Sequence, residues 1–138
     1  MLVYILILST ALQSDVAYIY NNDIDATSPT IKSDFTNQVV TSLYSKYPSW
    51  NVVIYHVAHN DNDPKLCSSG TVYITEFELP LFGTIDQTYG YNIVLLENGG
   101  LNMNGNPGGF DNWAFEGPSV TYTAGEGYVI FGNGCPSS

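Results

Sequence analysis

The chain has no arginine and only three lysines, Lys32, Lys46 and Lys65, against 13 acidic residues, for a formal net charge of −10. Nucleic acids are held by Lys and Arg neutralising phosphates, so this balance excludes DNA and RNA as partners. Without arginine there is no bidentate grip on phosphate or carboxylate, and anionic membrane surfaces are disfavoured by the same repulsion. Nucleotide cofactors, and cofactors generally, are not expected. Long apolar runs are missing too: the stretch at residues 2–8 is followed by Ser9, Thr10, Gln13, Ser14 and Asp15, well short of the ~20 residues a membrane span needs. No N-x-S/T acceptor for N-linked sugar occurs anywhere.

Cysteine is nearly absent. Cys67 and Cys135 are the only pair and have no C-x-x-C spacing, which argues for one disulfide and against a metal or dithiol motif. The segment GNGCPSS offers no base to activate a thiol, so a nucleophilic Cys135 is not expected. A lone disulfide points to an oxidising, secreted or extracellular setting.

What is present suffices for a core. The chain has 138 residues, 44% of them hydrophobic, with 11 tyrosines, six phenylalanines and two tryptophans, which excludes disorder and fits a single domain. The amino terminus opens with Leu2, Val3, Tyr4, Ile5, Leu6, Ile7 and Leu8, unbroken by any polar residue. Lacking a basic leader, this run reads less as a secretory signal than as a strand buried on both faces. A second strand-like piece, VAYIYNN, follows at 16–22, completing an apolar arm over 1–22. Residues 23–33, rich in Ser, Thr and Pro, read as a tether, and 34–138 as the globular domain.

In that domain Phe35, Val39, Val40, Leu43 and Tyr47 recur at helical spacing, with Ser33 placed to cap and Pro48 to stop. One amphipathic helix over about 34–47 is expected. Beyond Trp50 the chain is strand and turn: 51–59, 71–79, 88–97, 112–116, 119–123 and 127–131 are rich in β-branched and aromatic residues. The fold class expected is α+β, a β-rich single domain with that helix packed on an antiparallel sheet or sandwich of six to eight strands.

Three places could carry chemistry. His56, His59 and Asp61 are residue types that bind zinc, but positions three apart on a strand face opposite ways, so a metal site there is not favoured. Glu76 and Glu78 share a strand face side by side, whereas glycosidase carboxylates straddle their substrate. No Ser/His/Asp grouping or phosphate-cradling motif occurs, and a non-enzyme is expected. The third place is NGGLNMNGNPGGFDNW at 98–113. It reads as an elaborate turn, as a weak calcium loop, or as a sugar-binding loop in which Asn102, Asn104, Asn106 and Asp111 hydrogen-bond a glycan beside Trp113.

The leading functional expectation is a non-enzymatic extracellular structural protein. It would associate with its own copies, possibly into filaments, by adding the apolar strand at residues 2–8 to a neighbouring subunit. The alternative is a secreted glycan-binding module built on the 98–113 loop.

Overall fold

A computed structural model describes residues 2–58, 63–83, 87–103, 109–122, 125 and 127–136, with side chains omitted for 2–8 and 109. The described residues form two helices and six strands, in the order α1 (Leu2–Asp23), α2 (Ile31–Lys46), β1 (Asn51–His56), β2 (Lys65–Pro80), β3 (Thr88–Asn102), β4 (Trp113–Glu116), β5 (Val120–Tyr122) and β6 (Tyr128–Phe131). A 3-10 turn, Gly109–Asp111, precedes β4. The result is a small α+β domain whose six-stranded antiparallel sheet is nearly barrel-shaped.

The amino terminus departs most from expectation. Residues 2–23 are one helix of 22 residues, not a strand arm, and the second strand expected at 16–22 is its last turns. Two sequence features account for this. No glycine or proline occurs before Pro29, and Leu12, Val16 and Ile19 recur at i, i+4 and i+7, the spacing of one helix face. All three are buried. The seven-residue apolar run that precedes them has no period of its own and is compatible with either structure.

The tether shrinks accordingly to residues 24–30, because α2 begins at Ile31, whose side chain is buried. Ser33 lies inside the helix and donates to the Thr30 carbonyl instead of capping. Thr30 takes the cap position, and its hydroxyl donates to the Asp34 carboxylate at 3.0 Å. Asp34 in the first turn and Lys46 in the last complement the helix dipole. Phe35, Val39, Val40 and Leu43 form the buried face, as their spacing implies.

The sheet is organised by β3. Its full length pairs with β2, while its other edge pairs with β1 over residues 91–96 and with β6 over residues 99–102. Outside these lie β4 against β1 and β5 against β6. One sheet face meets both helices, in a core that includes Leu12, Phe35, Leu43, Ile54, Leu79, Tyr91 and Ile93. The other face curls on itself around Val53, Val94, Leu96, Leu101, Trp113, Val129 and Phe131.

Here the Asn/Gly stretch also differs from expectation. Asn98, Gly99, Gly100, Leu101 and Asn102 continue β3 and are not a turn, with Gly99 paired to Ser68 and Gly100 to Cys67. Neither glycine has positive φ. Each serves close approach instead: a Cβ on Gly99 would collide with the Cys67 carbonyl, and one on Gly100 with the Tyr128 hydroxyl. The expected disulfide is formed, joining Cys67 on β2 to Cys135 beyond β6 with Cα atoms 5.7 Å apart.

Candidate functional site

The apolar end of α1 is positioned by what anchors the rest of that helix. Leu12, Val16 and Ile19 pack into the helix-side core, and Asp15 makes two polar contacts to the end of α2. Lys46 Nζ lies 2.7 Å from Asp15 Oδ1, and Tyr47 Oη donates to Asp15 Oδ2 at 2.7 Å. Asp15 is therefore level with the last turn of α2. The part of α1 before it continues past that end for 13 residues, about 20 Å at 1.5 Å per residue.

These contacts have a pH signature. Burial, reinforced by the hydrogen bond and charge of Asp15, pushes the Tyr47 hydroxyl up to about 12 from 10.0. Burial also raises Tyr89, with Asp111 adding to it, and raises Tyr91, helped by Tyr89 and Asp111. An acid whose folded pKa is raised favours folding below its unfolded pKa, and that contribution disappears as pH rises through the folded value. Stability is expected to be unaffected by these groups up to about pH 10 and to fall above it, the Tyr47 contribution being lost between about 10 and 12. Phenolate absorbance during an alkaline titration checks this: ionisation of every tyrosine near 10 with the fold intact would contradict it.

The residues considered for zinc do not all fall within the described chain. His59 and Asp61 lie outside it, and no group of three or more His, Cys, Asp or Glu that could hold a metal gathers among the described residues. His56 is at the end of β1. Its Nδ1 faces the Gly90 carbonyl at 2.8 Å and must donate, since a carbonyl only accepts. Its ring stacks on Tyr89 at 3.6 Å between centroids, and Lys32 Nζ sits over the same Tyr89 ring at 4.1 Å.

The glycan candidates are dispersed. Asn102 ends β3 opposite Lys65, Asn104 and Asn106 lie outside the described residues, and Asp111 is exposed in the 3-10 turn. Trp113, expected as a platform for a sugar ring, is only 8% exposed and forms a wall of the second core. Its ring stacks on Phe115 at 5.6 Å and contacts Phe110 and Tyr122, and its Nε1 is buried with no acceptor among the described residues. Alternation explains the discrepancy, because Trp113 and Phe115 point to the face that the curled sheet covers.

The 3-10 turn is instead tied to the helix-side core. Tyr91 Oη donates to the Asp111 carbonyl at 2.6 Å, Tyr89 Oη donates to Asn112 Oδ1, and Thr36 Oγ1 donates to the Phe110 carbonyl. This holds the Asp111 carboxylate close to Tyr89 and the first turn of α2. Lys32 and Tyr89 were not singled out from sequence, although Lys32 is one of only three cations. Among the described residues no helix is long and apolar enough to cross a membrane. Comparison with protein-family models, with curated proteins and with solved structures finds no match to this chain.

Proposed function

We propose that the chain is a non-enzymatic extracellular structural protein that associates with its own copies through its apolar amino-terminal segment, with a helix as the connector in place of an added strand. The observation that supports this most is the placement of α1: Asp15 is fastened to the end of α2, and the seven apolar residues 2–8 continue the helix beyond it. Seven consecutive apolar residues span almost two turns, so the helix is apolar around its whole circumference there. Helices of several copies packed together cover such a surface from all sides.

Magnitudes favour several neighbours over a pair. Fully burying an apolar side chain contributes about 1.5–3 kcal/mol, and a two-helix contact covers about half of such a segment. Half-burying two such segments contributes roughly 10–20 kcal/mol, and association itself costs on the order of 4–15 kcal/mol, so a lone pair keeps only part of that gain. A bundle or filament, in which each helix has several neighbours, gains more. The disulfide is compatible with secretion.

Deleting residues 2–8 leaves Leu12, Asp15, Val16 and Ile19 in place, so the domain is expected to stay folded while assembly is lost. Light scattering and negative-stain microscopy of both proteins check this. Particles of equal size from the truncated chain, or a strictly monomeric full-length chain at all concentrations, would refute the proposal.

A further inference from the structure

A cleft of about 350 Å³ opens where three separate parts of the chain converge: the α1–α2 connection running into the first turn of α2, the β2–β3 turn and the 3-10 turn. Its volume is at the lower end of the ~300–1,000 Å³ typical of small-ligand sites. Phe82 lines it with 74% of its surface exposed, an uncovered aromatic ring at the rim. Lys32 and Asp111 both line it, and Lys32 has no carboxylate partner among the described residues.

The hydrogen-bonding capacity of the cleft selects the ligand. Thr27 and Thr30 line the cleft; the Thr27 hydroxyl donates to Asp25 at 2.8 Å, and the Thr30 hydroxyl donates to Asp34 at 3.0 Å and lies 3.1 Å from the Ser28 hydroxyl, so toward a ligand both are left as acceptors. Asp111 also accepts, while Lys32 donates. A ligand that fits must therefore bring several O–H donors and at least one acceptor, together with an apolar face for Phe82. Carboxylates and phosphates bring acceptors in excess. Lys32 and Asp111 cancel in charge, and the chain at −10 repels anions.

From this geometry we infer that the cleft binds a neutral hexose, its C–H face against Phe82, its hydroxyls donating to Thr27, Thr30 and Asp111, and one oxygen accepting from Lys32. The site is separate from the helix-mediated assembly proposed above. It also differs from the 98–113 loop reading, sharing only Asp111.

Saturation-transfer NMR and calorimetry on the full chain, with glucose, galactose, mannose and glucuronate, test it. At least one neutral hexose is expected to bind saturably, and Phe82→Ala and Lys32→Ala are each expected to weaken it tenfold or more. Phe82 is exposed, so its truncation should leave the thermal midpoint unchanged, which separates loss of binding from loss of fold. Absence of saturable binding by every neutral hexose, equal binding by wild type and Phe82→Ala, or tighter binding of glucuronate than of glucose would overturn the assignment.

Discussion

Phe35→Ala is expected to lower the free energy of unfolding by about 3–5 kcal/mol, the range for removing a buried aromatic ring and leaving a cavity. Phe35 is 0% exposed. Its ring stands 5.1 Å from that of Phe77 on β2, 5.6 Å from Tyr91 on β3 and 6.5 Å from Tyr20 on α1. Thus one side chain on α2 joins both helices to the sheet. Collapse around the lost ring would require α1, α2 and the sheet to shift together, and this places the effect toward the upper end. Against a total stability of about 5–15 kcal/mol for a domain, such a loss is a large fraction. Denaturant unfolding followed by tryptophan fluorescence checks it. A loss below about 1 kcal/mol would mean that Phe35 does not hold these elements together.

Removing the disulfide is expected to have a comparable effect by a different route. Cys67 and Cys135 are 68 positions apart, and cross-linking a loop of that length restricts the unfolded ensemble by about 4 kcal/mol in the chain-entropy model. Replacing both cysteines with serine releases that restriction while most of the folded packing stays as it is. The unfolded chain then expands and exposes more surface, so the denaturant slope m is expected to rise as the midpoint falls. Phe35→Ala, which acts on the folded state, is expected to leave m unchanged. The comparison separates the two mechanisms. A double serine variant with an unchanged midpoint and slope would show that the cross-link does not limit the unfolded chain.

Some of the candidate sites depend on contacts that sequence does not display. Trp113 looked like a platform for sugar because it ends a polar loop, yet β4 turns it into the curled face of the sheet. Phe82, Lys32 and Asp111 are far apart in sequence, and only the pairing of β2 with β3 and the docking of the 3-10 turn on Tyr89 and Tyr91 bring them to one cleft. His56 was legible as part of a strand expected over 51–59 but not as its last residue, nor as a ring stacked on Tyr89, which belongs to another strand.

The sequence by itself determined the α+β class, the helix around Phe35, Val39, Val40 and Leu43, and the single disulfide, and it located strand segments beyond Trp50 while leaving the total at six to eight and expecting two more where α1 stands. These rest on short-range periodicity, on Pro48 as a stop and on there being only two cysteines, all readable within a few residues or by elimination. Tertiary structure alone decided that the apolar run at 2–8 is helical, that Gly99 and Gly100 belong to a strand, and which aromatic rings face water. An unbroken apolar run has no period to distinguish helix from strand, and the glycines are required by a carbonyl and a hydroxyl about 30 positions away. Local patterns report what a segment can form, whereas the surface it covers is set by partners elsewhere in the chain.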